Sequence, residues 1–219
     1  MSDPVRLRLP DATLDADLAI PGNAAGLVAF AHGSGSSRKS TRNRFVAGRL
    51  NDAGLATLLL DLLTPEEDKV DVRTRQFRFD IPLLAARMTA TCDWLRQRDE
   101  TRQFPIGLFG ASTGAAAAII AAADRPDTVR AVVSRGGRPD LAEDALPRLA
   151  TPTLLIVGGE DTTVIELNEQ ARARTDAEVT LEIVPGATHL FEEPGALERV
   201  ADLATAFFVE RLDTHAGGS

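Results

Sequence analysis

A serine flanked by two glycines follows one of the apolar runs of the sequence. The pentapeptide Gly110-Ala-Ser-Thr-Gly114 comes directly after residues 106–109 and leads into small residues with helical spacing, 113–123. Between a strand and a helix, G-x-S-x-G is typical of a sharp turn that lifts the serine hydroxyl above the edge of a sheet. We therefore predict that Ser112 is a nucleophile, and a plain glycine–serine turn is the alternative.

A serine nucleophile needs a base, and the sequence offers only three histidines. In folds with this turn, an acidic residue and then a histidine follow the serine along the chain. His32 precedes the serine and His215 lies in the terminal tail, whereas His189 follows the last apolar run. The predicted base is therefore His189, with an ordinary surface-turn histidine as the alternative.

The acid that orients this base is expected just after the strand predicted at residues 153–157. Glu160 and Asp161 both lie there, and we favour Asp161 because it stands four residues past the strand and directly ahead of a predicted helix. Either carboxylate could instead cap that helix or lie in solvent. A serine, a histidine and an acid in this order perform acyl transfer through a covalent intermediate.

Acyl transfer also needs amide groups that face the developing oxyanion. One is expected from Thr113, which follows the nucleophile, and the other from the loop His32-Gly-Ser-Gly-Ser-Ser37, where Ser34 is preferred over Gly35. Gly33 and Gly35 are also predicted to line the substrate site. The same loop could cradle a phosphate, but it lacks the G-K-[ST] and G-x-G-x-x-G spacings.

Three further features border this predicted site. His32 is expected to brace its loop rather than to react. Arg135, just past a strand end, is predicted to bind substrate at the rim, with a salt bridge as the alternative. Residues 61–78 form the longest irregular stretch, which either borders the pocket or is a mobile charged surface loop.

Composition excludes several other kinds of protein. The chain of 219 residues is 44% hydrophobic and 26% charged, which predicts one domain over residues 1–213 and a flexible tail at 214–219. A net charge of −8 argues against nucleic acid or an anionic membrane as partner, and no apolar run is long enough for a membrane helix. The single cysteine, Cys92, excludes an internal disulfide. We expect a cytoplasmic protein without metal or cofactor.

Short apolar runs alternate with helical patterns along most of the chain, which predicts an α/β fold with a mostly parallel sheet and helices on both faces. The runs, read as strands buried on both faces, are residues 27–31, 56–60, 106–109, 131–133, 153–157 and 179–184. Residues 5–9 and 14–20 alternate apolar and polar side chains, which predicts an antiparallel hairpin at the sheet edge. Residues 135–152 are too few for a cap domain.

Together these segments resemble an α/β-hydrolase of the dienelactone-hydrolase-like group. The chain is similar over residues 27–208 to small serine hydrolases with a His-Gly-Ser-Gly-Ser-Ser loop, some of which are fused to phosphoribosyltransferase domains. The resemblance rests on residues 32–37, 58–62, 110–114, 158–161 and 186–189. Dienelactone hydrolase itself carries a cysteine nucleophile, whereas this chain has Ser112 there and Cys92 on a helical core stripe. That departure favours ordinary carboxylic esters over dienelactone.

The expected activity is hydrolysis of small or exposed carboxylic esters by Ser112, His189 and Asp161 through an acyl-enzyme. A thioesterase or an acyltransferase would use the same three residues, and a non-catalytic ligand-binding domain on the same fold is a further alternative. The expected partner is a small-molecule ester, bound by a monomer or a homodimer.

Overall fold

The computed structural model describes residues 2–212, so the predicted tail at 214–219 lies outside the described residues. The strands are β1 (Asp3–Arg8), β2 (Thr13–Ala19), β3 (Gly26–Ala31), β4 (Leu55–Leu60), β5 (Ile106–Ala111), β6 (Val129–Arg135), β7 (Thr153–Gly158) and β8 (Val179–Val184). The α-helices are α1 (Thr41–Asp52), α2 (Pro65–Thr74), α3 (Ile81–Gln97), α4 (Thr113–Asp124), α5 (Thr162–Arg172) and α6 (Ala196–Leu212).

All eight strands form one sheet in the order β1-β2-β4-β3-β5-β6-β7-β8. β1 and β2 pair antiparallel at one edge, as the alternating pattern predicts, and β2 continues antiparallel onto β4. The remaining pairs are parallel. The carboxyl ends of β3, β5, β6, β7 and β8 therefore meet along one side of the sheet, which is where ligands bind in open α/β folds.

The sheet separates two apolar layers, so helices cover both of its faces as predicted. On one face α3 and α4 pack against alternate residues of the central strands, and on the other face α1 and α6 do so. β3, β4, β5 and β7 are buried along their whole length. The prediction of burial on both faces is wrong for β8, which is half exposed because it is the edge strand.

The prediction of an irregular stretch at residues 61–78 is also wrong. The helix α2 occupies its centre and begins with a capping box, in which Thr64 and Glu67 bond each other's backbone N–H groups. Most of this helix is polar and Asp71 is its one buried residue, so no apolar stripe marks it in the sequence.

The connection between β6 and β7 contains two short 3₁₀ turns, Pro139–Ala142 and Leu146–Arg148, and no cap domain. The edge where the strands end is therefore not roofed by an inserted domain. Within residues 2–212 no helix is both long and apolar enough to cross a bilayer.

Candidate active site

Ser112 occupies the strained turn that the sequence predicts between β5 and α4. Its backbone has φ 51° and ψ −121°, a conformation that costs energy in any residue other than glycine. Its two flanking glycines are required by close packing. A Cβ on Gly110 would lie 2.4 Å from Cα of Ala115, and one on Gly114 would lie 2.3 Å from the carbonyl oxygen of Ala31.

His189 and Asp161 are in direct contact. Nδ1 of His189 lies 2.6 Å from Oδ2 of Asp161, with both side chains partly buried. Asp161 stands at the N-cap position of α5, yet its side chain makes no capping hydrogen bond there. Glu160 is exposed. Of the two acids the sequence offers, the structure brings Asp161 to the imidazole.

The imidazole of His189 lies over the end of β6, the strand beside the one that leads to Ser112. A Cβ on Gly136 would lie in ordinary contact with Cε1 of His189, at 3.5 Å, but only 3.2 Å from the carbonyl oxygen of His189, and the φ of +52° at this position favours glycine. The amide N–H of Ser112 donates to the carbonyl oxygen of Arg135 at 3.3 Å. Within residues 2–212, no hydrogen bond joins the Ser112 hydroxyl to His189; such bonds are often long before substrate binds.

The loop after β3 lies against the serine turn. A Cβ on Gly33 would lie 3.1 Å from Cβ of Ser112 and from the carbonyl oxygen of Ala111, which is tighter than most contacts, so a glycine favours this close approach. Oγ of Ser34 lies 2.9 Å from Oγ1 of Thr113. In the described part of the chain, the amide N–H groups of Ser34, Gly35 and Thr113 have no hydrogen-bond acceptor. They are free to meet a ligand.

His32 holds the start of this loop, as predicted. Its Nδ1 lies 2.9 Å from the carbonyl oxygen of Gly33, and its Nε2 accepts from the amide N–H of Leu62 at 2.9 Å. These two contacts fit a neutral imidazole with its proton on Nδ1. Burial lowers the pKa of His32 below its ordinary value of 6.5, although the bond to Gly33 acts in the opposite direction.

Arg135 is 5% exposed. The salt bridge that the sequence allows for it as an alternative is absent among the described residues. Its Nη2 lies 3.5 Å from Oδ1 of Asn43, and its guanidinium stacks 5.8 Å from the ring centre of Phe191. Burial and the neighbouring Arg42 lower the pKa of Arg135 to about 10. Within residues 2–212, this buried cation therefore has no carboxylate at salt-bridge distance, and it stands next to the histidine loop.

Two residues of this region carry no role in the sequence analysis. Gly136 makes room for His189, and its place in the doublet Gly136-Gly137 directly past a strand is a signal that could have found it. Phe191 is buried with φ 55°, which is rare for a bulky side chain, and nothing in the sequence indicates this. Among residues 2–212, no group of three or more His, Cys, Asp or Glu side chains could hold a metal ion.

The strand order, the serine turn and the histidine beyond the last strand are those of an α/β-hydrolase. The sequence profile described as the dienelactone hydrolase family matches residues 14–210, and the chain belongs to that family.

Solved structures agree with this membership. Dienelactone hydrolase from Anabaena variabilis ATCC 29413 is 55% identical over 97% of this chain and 98% of its own, with a TM-score of 0.95. Est1E from Butyrivibrio proteoclasticus shares the fold at 18% identity, with a TM-score of 0.79 over 95% of this chain and 98% of its own.

Curated relatives are longer than this chain. A protein of Mycobacterium tuberculosis, strain CDC 1551, provisionally named a phosphoribosyl transferase, is 57% identical over 195 residues. The match covers 89% of this chain and 43% of the relative, so the chain spans less than half the length of the curated relatives it matches.

Proposed function

We propose that this chain hydrolyses carboxylic esters through an acyl-enzyme on Ser112, with His189 as the base and Asp161 as the acid that orients it. The observation that carries the proposal is the 2.6 Å hydrogen bond between Asp161 and His189. Asp161 leaves its own helix uncapped to make this bond, which is what an orienting acid would do. Membership of a hydrolase family supports the same chemistry.

In this mechanism His189 takes the proton from the Ser112 hydroxyl through Nε2 as the serine oxygen attacks the ester carbonyl. The carbonyl oxygen becomes an oxyanion, and the imidazolium then gives its proton to the leaving alkoxide. Water enters, loses a proton to His189 and attacks the acyl-serine, which releases the acid and restores the serine. Asp161 keeps the Nδ1 proton in place and stabilises the imidazolium in both halves.

The oxyanion is held by the amide N–H groups of Thr113 and Ser34, with Gly35 as the alternative to Ser34. In the described part of the chain, the amide N–H groups of Thr113 and Ser34 have no other acceptor. The close approach of Gly33 to Ser112 brings the loop near the place where the ester carbonyl would react. Loss of one such donor typically costs about 10²- to 10³-fold in kcat.

The substrate is proposed to be an ester with a small or exposed acyl group. The support is the short connection between β6 and β7, which leaves no inserted domain to enclose a long chain. Gly33 and Gly35 would line the acyl site without side chains, and Arg135 would offer N–H donors to a substrate oxygen.

The provisional name of the curated relatives concerns a different reaction. The stretch shared with them is 43% of their length, and in this chain it is also the stretch that matches the hydrolase family. We therefore propose ester hydrolysis for the stretch that this chain shares with those relatives.

Turnover of p-nitrophenyl acetate tests the proposal, with Ser112→Ala and His189→Ala beside the wild type. Each variant should lose on the order of 10⁶-fold in kcat. A fluorophosphonate probe should label Ser112 in the wild type and nothing in Ser112→Ala. Wild-type turnover in either variant would refute the three assigned roles, and absence of labelling would favour a non-catalytic ligand-binding domain.

Paired oxygen esters and thioesters with the same acyl group separate the neighbouring activities. A carboxylesterase should prefer the oxygen ester, and a thioesterase should show the reverse preference. An acyltransferase should form a new ester when an alcohol is added, whereas a hydrolase should release the free acid.

A further inference from the structure

Two acidic residues stand one turn apart on the same face of α2, and each holds a different arginine. Glu67 accepts two hydrogen bonds from Arg87 of α3, at 2.7 and 2.8 Å. Arg87 is 2% exposed and also donates to the carbonyl oxygen of Leu62 at 2.8 Å. This bidentate pair fixes α2 to the body of the fold.

Asp71, the second of these acids, is 1% exposed and organises the turn after the helix. Its Oδ1 accepts from the amide N–H groups of Phe77 and Arg78 at 2.8 and 3.0 Å, and its Oδ2 accepts from Nε of Arg78 at 2.5 Å. Burial alone would raise the pKa of Asp71, but these hydrogen bonds hold it below the ordinary value. Arg75, in the left-handed conformation at φ 58°, turns the chain back to make them possible.

Arg78 in turn contacts the loop proposed to supply an oxyanion amide. Its carbonyl oxygen accepts from Oγ of Ser34 at 3.3 Å, and a Cβ on Gly35 would lie 3.1 Å from its Nη1. The Ser34 hydroxyl also lies 2.9 Å from Oγ1 of Thr113, and either hydroxyl can be the donor in that pair. Hydrogen-bond contacts thus connect the first residue of α4, through Ser34, to Arg78.

A small cavity of about 10 Å³ lies among these groups, lined by Asp71, Arg78, Thr113 and the loop residues 32–36. The space is about what one water molecule needs. Asp71, Arg78 and the oxyanion loop therefore line one small cavity, together with Leu63, Asp68 and Leu84.

We propose that Asp71 and Arg78 are positioning residues for the oxyanion hole, which hold Ser34 and Gly35 at the distance from Ser112 that acyl transfer requires. The inference rests on the proposed function and assigns a role to residues 61–78. Arg78 acts through Ser34 and Gly35, and Asp71 acts through Arg78.

The need for such a support follows from the loop itself. Gly33 and Gly35 make its backbone easy to move, and Gly35 has φ +69°. An oxyanion donor works only when it lies about 2.7–3.1 Å from the oxygen, and a displacement of about 1 Å can cost 10²-fold. A loop that contains two glycines keeps that precision only when fixed from outside.

The test compares Asp71→Asn and Arg78→Met with the wild type. Asp93→Asn is the control for loss of a carboxylate that pairs with an arginine, because the more exposed Asp93 accepts hydrogen bonds from Arg125, at 2.8 and 2.7 Å, at the opposite end of α4 from Ser112. For each protein one measures kcat and KM for p-nitrophenyl acetate, the inhibition constant of a trifluoromethyl ketone, which forms a tetrahedral adduct, and the melting temperature.

We expect Asp71→Asn and Arg78→Met to lower kcat about 10- to 100-fold with KM within threefold. Inhibition by the trifluoromethyl ketone should weaken by the same factor as kcat/KM, because both depend on the oxyanion hole. Asp93→Asn should change neither. A merely structural role would lower the melting temperature and leave the inhibition constant of the folded fraction unchanged, which would overturn the proposal.

A second pair of variants keeps the test decisive if Asp71→Asn does not fold. Ser34→Ala removes the hydroxyl that joins Arg78 to Thr113, whereas Ser34→Thr retains it. The alanine variant should show the kcat loss and the threonine variant should recover most of it; equal kcat in both would contradict the proposal. A wild type that hydrolyses no ester and takes up no fluorophosphonate would instead refute the proposed function.

Discussion

Oγ of Ser34 and Oγ1 of Thr113 lie 2.9 Å apart although 79 positions separate them in the sequence. The first follows β3 and the second follows β5, and these strands are neighbours in the sheet. The hydrogen bond therefore ties together the two residues whose amides are proposed to hold the oxyanion. Their spacing is set by side chains as well as by the sheet.

Asp161→Asn should lower kcat for an ester on the order of 10⁴-fold, because an amide beside Nδ1 would favour the wrong tautomer of His189. Glu160→Gln is the matched control, since its side chain is exposed and adjacent in sequence. Steady-state kinetics on both variants give the comparison. A loss of kcat confined to Glu160→Gln would assign Glu160 as the acid. Equal losses in the two variants would contradict the assignment of Asp161 alone.

The two buried arginines should respond differently to replacement by methionine. Arg87→Met leaves Glu67 without its partner and should lower the free energy of unfolding on the order of 3 kcal/mol. Arg135→Met breaks no salt bridge in the described residues and should change that free energy by about 1 kcal/mol or less. Urea unfolding of both variants checks this contrast.

If Arg135 also donates to substrate, as proposed, Arg135→Met should lower kcat/KM at least about tenfold, since a hydrogen bond from a charged group is lost. The variant is expected to remain folded, so the kinetic effect can be read directly. Unchanged kcat/KM across esters of several acyl groups would remove Arg135 from the substrate site.

Stability should fall in mild acid because of His32. Burial lowers the pKa of His32 in the folded chain, so below about pH 6.5 the unfolded chain binds this proton first and the free energy of unfolding decreases. His32→Gln keeps an acceptor for the amide of Leu62 but does not titrate. Subtracting its unfolding free energies from those of the wild type between pH 5 and 8 isolates the effect. A difference independent of pH would contradict the prediction.

Cys92 should play no part in catalysis. It is fully buried, and burial raises its pKa to about 12, so almost no thiolate forms at neutral pH. Iodoacetamide should leave ester turnover unchanged and should modify Cys92 only in urea, as followed by mass spectrometry. Rapid modification of the native protein with loss of turnover would show that the thiol is accessible and required.

Much of the fold could be predicted from local patterns. The buried parallel strands appear as uninterrupted apolar runs, and the edge hairpin appears as alternation, because burial on two faces or on one decides which side chains are tolerated. The edge strand β8 was grouped with the buried runs although only Val184 is buried. Thr180 and Glu182 interrupt this run at alternate positions, and that alternation is a signal of its place at the edge.

The residues of the candidate site that follow a fixed order along the chain could be predicted from the sequence. Those whose role depends on contacts between distant segments could not. Ser112, Asp161 and His189 follow from the serine turn and the order of the segments. Asp71 and Arg78 do not, because α2 has no apolar stripe and the role of its acids depends on which arginines fold back onto it. The left-handed backbone of Phe191 is equally hidden, because a bulky residue rarely adopts it; here the buried ring and a hydrogen bond from its N–H to the carbonyl oxygen of Thr188 accompany it.

The place of β8 at the sheet edge has a consequence for how activity is lost on heating. His189 lies in the turn that follows this partly exposed edge strand, whereas the serine turn follows a strand with neighbours on both sides. Edge strands open at lower free-energy cost than central ones. We therefore expect inactivation to precede melting: the imidazole would leave its position while the serine and its helix are still in place, and cooling would restore turnover without refolding of the core.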